Sequence, residues 1–296
     1  MPKFIIISVC FSLLSTLSYA SFVGPPNDWT EWVEKKKEGY QKPFATPTVT
    51  HHIYLKSLGD AAYLDESYKY PRFVQKKCKK CQWKLTRISD DKVQLDGPKK
   101  YNKQFLINEK SQIPSNDKVF FSGMYYEKEK TMRLFLYDKG LKNLGKKRKR
   151  KFFPYSADQR VLASFQWLEK PKDVIIQRSD GTQKTYQAVA ELSFTKNKKP
   201  TKLTVYNSGG DESYKDYNEA MLLFRDYTNG KKTYGAGRFL YTDFGKKIGD
   251  MKNKDQVTLD FNFSYNPPCA VSTGFHCPLP QDLVKSEVLA GEKYIK

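Results

Sequence analysis

Two arginines and two tyrosines late in the chain have the chemistry to hold an anion. Met221 to Thr228 and Lys231 to Leu240 surround Asn229-Gly230, a dipeptide that favours a two-residue type I′ hairpin turn. Counting outward from such a turn pairs Thr228 with Lys231, Arg225 with Tyr234 and Met221 with Arg238. Side chains alternate along strands, so Arg225, Tyr227, Tyr234 and Arg238 are expected on one face, with Phe224, Asp226, Gly235 and Gly237 on the other. Guanidinium forks bind carboxylate or phosphate and stack on rings, which suits that face to an anionic or planar ligand. A purely structural cluster of the same groups is the alternative.

A second wall is expected from Leu259 to Pro280, LDFNFSYNPPCAVSTGFHCPLP. In a strand from Val257 to Phe263, Val257, Leu259, Phe261 and Phe263 form an apolar face. Asp260 and Asn262 then point the other way, ~7 Å apart. Beside the hairpin, Asp260 would meet Arg225 or Arg238. Tyr265-Asn266-Pro267-Pro268 redirects the chain, and Asn266-Pro267 is biased to extended or turn geometry. Arg225, Tyr234, Arg238, Asp260, Asn262, Tyr265 and Asn266 are therefore the candidate ligand-binding residues. Asp260 and Glu292 are candidate general bases for a hydrolase or transferase, with the arginines stabilising developing negative charge. Nucleophile-elbow serine, HExxH and phosphate-loop motifs do not occur. Thr-Tyr-Gly-Ala-Gly-Arg lacks the third glycine and following helix of a dinucleotide fingerprint. No cofactor is implied.

Cys78, Cys81, Cys269 and Cys277 remain once Cys10 is set aside with the leader. An even number in an exported chain reads first as disulfides, and the local pairing Cys78–Cys81 with Cys269–Cys277 needs the fewest assumptions. A four-cysteine zinc site is the rival, but its second pair is spaced more widely than is usual, so no metal is assigned. A redox role for Cys78-Lys-Lys-Cys81 has nearby lysines in its favour and lacks a βαβ context. His51 and His52, being adjacent on a strand, should point to opposite faces and not share one metal. His276 should sit at the rim of the loop between Cys269 and Cys277.

These residues need a β-rich scaffold. A short helix is expected over Trp29 to Glu38, capped by Asp28, with Trp29, Trp32, Val33 and Tyr40 on its docking face and Gly39 as its stop. Strands follow at Val49 to Leu55 and Trp83 to Ile88. Lys92 to Leu95 pairs with the latter across Asp90-Asp91, and Val119 to Glu127 with Thr131 to Tyr137 across Lys128 to Lys130. Val161, Ala163, Phe165 and Trp167 alternate as a half-buried strand does. Val174 to Arg178 and Thr182 to Phe194 bracket Asp180-Gly181, a further hairpin signal. The pattern predicts a mainly β protein, an antiparallel sandwich or barrel-like core with a short N-terminal helix. The expected order is a leader (1–20), helix and linker (21–45) and a β-rich domain (46–296), with 46–115 a candidate separate lobe.

Residues Met1 to Ala20 have the form of a secretory signal peptide. Lys3 comes first, an apolar run from Phe4 to Leu17 follows, and small residues at Ser18 and Ala20 set cleavage near Ala20. That run is shorter than the ~20 residues a membrane span requires, so no transmembrane segment is expected, and the location is periplasmic or secreted. The formal charge of +20 favours anionic partners. Behind a leader these are a small anion or a cell-envelope polymer, not specific nucleic acid. The run GKKRKRK at 145–151 is read as an exposed basic loop or as a docking patch for such a polymer.

Several strings resemble a bacterial and archaeal family known as domain of unknown function 1684. They are YGAGRFL at 234–240, LDFNFSYNPPC at 259–269, CPLP at 277–280 and AGE at 290–292, with FRDYTNGKKTYG at 224–235 and FFPYSADQRVLASF at 152–165. The resemblance covers roughly residues 28–296. It implies a β-rich, often exported domain and brings no established activity or cofactor. The lysine density and the Cys78/Cys81 pair depart from the family pattern. Three readings therefore stand: an exported binder of an anionic ligand, a hydrolase or transferase, or a structural cluster.

Overall fold

The computed structural model describes residues 26–40, 46–68, 71–114, 117–127, 130–141, 149–207 and 212–294 of the chain. The expected leader, the linker at 41–45 and residues 145–148 of the basic run lie outside them. The protein is mainly β, with one α-helix, α1 (Asn27–Gly39), ahead of sixteen strands among the described residues.

The first nine strands are β1 (Val49–Leu55), β2 (Ala61–Asp65), β3 (Arg72–Val74), β4 (Cys81–Arg87), β5 (Lys92–Gly97), β6 (Tyr101–Leu106), β7 (Ser111–Gln112), β8 (Val119–Tyr126) and β9 (Thr131–Asp138). They form two sheets, ordered β1-β9-β8-β7 and β3-β2-β4-β5-β6. Alternating residues of both sheets, among them Leu55, Leu64, Leu85, Leu95, Phe121 and Leu134, bury against one another as a sandwich core. That core runs on through Leu136, past the candidate lobe boundary near residue 115. Each fully buried Leu or Phe contributes about 1.5–3 kcal/mol of transfer free energy.

The remaining strands are β10 (Arg160–Gln177), β11 (Gln183–Lys196), β12 (Lys199–Asn207), β13 (Glu219–Asp226), β14 (Arg238–Asp243), β15 (Gln256–Asp260) and β16 (Leu283–Val284). Their sheets, β12-β11-β10-β15 and β14-β13-β16, enclose a second core built from Phe165, Leu192, Leu222, Phe224, Leu240, Leu259 and Phe261. The Asp180-Gly181 hairpin is present, with Gln177 paired to Gln183 and Gly181 at φ +83°.

Three local expectations are corrected. Pro26, not Asp28, occupies the N-cap of α1, and the Asp28 carboxylate accepts only the neighbouring Trp29 N–H at 2.8 Å. The strand expected to reach Phe263 ends at Asp260 and gives way to a 3₁₀ turn, Phe261–Phe263. Most consequential for the site, Phe224 pairs with Arg238 and Met221 with Tyr241, so the hairpin register differs from that of a two-residue turn. Asn229 explains the shift. Its side chain accepts from the Asp226 N–H at 2.6 Å and donates to Thr233 Oγ1 at 2.9 Å and to the Tyr234 carbonyl at 3.0 Å. These local bonds hold residues 227–237 as a wide loop in place of a ladder.

The two halves meet along β1. Ser272 donates to the Val49 carbonyl, and His52 Nδ1 donates to the Gly274 carbonyl at 2.6 Å. A Cβ on Gly274 would lie 2.8 Å from the His51 nitrogen, so only glycine lets this loop approach so closely. The helix docks as expected: Trp32 packs edge-on against Phe152 and Phe263, and Val33 and Tyr40 are buried.

Candidate functional site

The wide loop separates the two arginines. Arg238 shares a face with its partner Phe224 and with Asp226, whereas Arg225 is exposed on the opposite face. Arg238 Nη2 bonds Asp226 Oδ2 at 2.8 Å and the Val288 carbonyl at 2.9 Å, and Nη1 reaches the Ala290 carbonyl. Asp226 also accepts from the N–H and hydroxyl of Thr228. Burial pushes the Arg238 pKa down, and the facing Asp226 opposes that shift.

The carboxylates are equally occupied. Asp260 pairs with Arg160 across β10 and β15, not with Arg225 or Arg238. Its Oδ1 accepts from the N–H and side-chain amide of Asn262 at 3.0 and 2.7 Å. Asn262 itself clamps Ser156 through two bonds, at 3.0 and 2.8 Å, and its carbonyl takes the Trp29 indole N–H at 3.1 Å. Burial raises the Asp260 pKa, and the bonds from Asn262 lower it. Glu292 is gripped by Arg150 through both oxygens and accepts the Asn266 N–H at 2.9 Å. Its side chain is 3% exposed, so as a general base it would have no free face for water. Arg150, the sixth residue of the basic run, thus turns inward to serve a buried carboxylate and is not part of an exposed loop. Tyr265 stacks on Tyr241, and the Asn266 amide donates to the Lys293 carbonyl at 3.0 Å.

The cysteines divide. Cys78 and Cys81 form a disulfide. Cys269 and Cys277 are adjacent free thiols, which corrects the expected second disulfide. Cys277 Sγ accepts the Cys269 N–H at 3.2 Å. Hydrogen bonds from Cys277, Ser179 and Tyr234, working against burial, bring the Cys269 pKa down to about 7. Cys277 is correspondingly pushed up by its bond to Cys269 and by burial. Tyr234 therefore belongs with the thiols and not with Arg225.

Sequence reasoning overlooked the histidines as a group. All three in the chain meet at the β1 seam, their ring centroids 4.7 Å apart for His52 and His276 and 6.3 Å for His51 and either partner. The bulge in β1 lies before His51, and His51 and His52 keep consecutive register with Leu136 and Phe135; His276, from the loop between Cys269 and Cys277, comes close to both rings. His276 Nδ1 lies 2.9 Å from Asp180 Oδ2. Burial, together with charge from His276, Arg72 and Arg133, lowers His51 to about 4 and His52 to about 3. Among the described residues, no group of three or more His, Cys, Asp or Glu side chains is arranged to hold a metal ion.

Residues 148–293 match the model of a family described as protein of unknown function (DUF1684). The chain belongs to this family. The match takes in β10 through β16 with the Arg238, Asp260, Cys269 and Glu292 clusters, and it begins well after the residue 28 expected from the sequence strings. A solved structure of an uncharacterised protein from Haloarcula marismortui is similar: 33% identical, covering 49% of this chain and 76% of that one, with a TM-score of 0.40. No curated protein matches. In DUF1684 terms, the signature strings here are the residues that satisfy one another. Gly237 (φ +110°) lies against Pro280 and the Phe224 carbonyl, joining YGAGR to CPLP, while Glu292 joins AGE to the Asn266 of YNPPC. The described residues contain no helix long and apolar enough to cross a membrane.

Proposed function

We propose that this is an exported binding protein whose partner is anionic, a small molecule or a polymer of the cell envelope. The observation that carries the reading is Arg225. Among the expected ligand residues it alone is exposed, and among the described residues no carboxylate pairs with it. Tyr227, two positions on and 45% exposed, has Lys199 over its ring at 5.3 Å. An arginine beside a lysine-capped tyrosine offers charge and a stacking plane to a polyanion. The surplus of Lys and Arg over Asp and Glu, 52 against 32, gives the surrounding field the same sign. The signal-peptide pattern supports export.

The test is retention of the mature protein on purified anionic wall polymer. Retention should fall steeply between ~0.05 and ~0.5 M salt, as screening requires, and Arg225→Gln should weaken it at every salt concentration. Retention that ignores salt would sink the reading.

A further inference from the structure

We infer that the β1 seam is a binding site for a small oxyanion, a phosphate or carboxylate group, held by Arg133, His52 and His276 with Arg178 at its rim. This rests on the reading of an anionic partner and names a site for it. Three arginines and three histidines act on one another here. Arg72 of β3 faces His51, and Arg133 of β9 faces His52 and His276. Arg178, at the β10–β11 turn, faces His276. Among the described residues, Asp180 is the carboxylate acting on His276, and Thr182 and His276 already engage it.

The donors are also incompletely used. Arg133 lies over Phe135 at 4.6 Å and near Phe275 at 5.8 Å, but its buried Nε has no hydrogen-bond partner, nor have Arg72 Nε and His51 Nδ1. A buried cationic donor without an acceptor is costly, and an oxyanion supplies the missing acceptor together with the opposite charge. His52 and His276 each have Nδ1 anchored, to the Gly274 carbonyl and to Asp180. Among the described residues, neither Nε2 atom has a hydrogen-bond partner. The site lies at β1, the edge strand of its sheet, where the loop carrying Ser272 and Gly274 packs against it. Tyr54, whose ring meets His52 at 5.4 Å and the Arg133 guanidinium at 5.3 Å, also lines a neighbouring cavity of about 460 Å³ that includes Asp60 and none of the four site residues.

Calorimetric titration of the mature protein with inorganic phosphate, and separately with citrate, tests the site at ionic strength held constant with sodium chloride. One saturable site for either probe is expected, and the tighter probe identifies the group recognised. Arg133→Gln should weaken binding at least tenfold while Lys202→Gln, at an exposed position of β12, leaves it unchanged. His276→Gln serves the same purpose if Arg133→Gln does not fold. Absence of saturable binding to both probes, or equal affinity in the Arg133 and His276 variants, overturns the site. Loss of salt-dependent polymer retention with oxyanion binding intact overturns the polymer reading and leaves the site standing.

Discussion

Arg238 and Asp226 face each other at 2.8 Å with neither side chain exposed to solvent. Two residues that could have served a ligand instead neutralise each other, and the guanidinium also ties down the Val288 and Ala290 carbonyls. Asp226→Ala would strand the arginine and should cost about 3–5 kcal/mol of stability. Urea unfolding of this variant beside Arg225→Ala, expected to be near neutral, separates a structural pair from a surface one.

A second structural device is Gly291, at φ +70°, where a Cβ would run into the Ser264 carbonyl. That carbonyl accepts the Glu292 N–H at 2.8 Å, so displacing it disturbs the buried Arg150–Glu292 pair as well. Gly291→Ala should lower the melting temperature by more than Gly181→Ala, because Gly181 shares the positive φ but has no atom near its missing Cβ. Calorimetric melting curves decide this, and an equal loss in both variants would mean backbone strain alone matters.

Cys269 should be the reactive thiol. With its pKa near 7, alkylation by iodoacetamide should rise through a midpoint about there, below an ordinary cysteine. Tyr234→Phe removes one hydrogen bond to the thiolate and should move the midpoint upward. A midpoint above pH ~8.5 in the parent protein would contradict the assignment.

The histidine cluster should contribute to the loss of stability in acid. The folded values for His51 and His52, about 4 and about 3, lie below the unfolded value of ~6.5. Between these limits the unfolded chain binds more protons, so stability is full above pH ~6.5 and declines as pH falls towards ~3. Asp180 is the carboxylate facing this group, and Arg72, Arg133 and Arg178 are its cations. His52→Gln should flatten the decline in unfolding free energy over this range, and an unchanged slope would remove His52 from it.

Much of the fold was legible because strand alternation and turn dipeptides act locally. The alternation of Val161, Ala163, Phe165 and Trp167 lies within β10, and β1 has the bounds its residues suggested. The site was less legible because it depends on side-chain competition and distant chain. Asn229-Gly230 carries a hairpin signal, but Asn229 spends its amide on Asp226, Thr233 and Tyr234, and the register moved. Asp260 likewise turned the strand into a 3₁₀ turn by accepting the Asn262 N–H. The histidine cluster unites residues more than two hundred positions apart, a contact that no local pattern announces.

The most direct test of the account is imidazole NMR of the protein titrated with phosphate at constant ionic strength. The chain has three histidines, so every histidine signal reports on the β1 seam. The account predicts that phosphate shifts all three resonances along one saturable curve and raises their apparent pKa values. Three resonances that stay still while phosphate is added would contradict it.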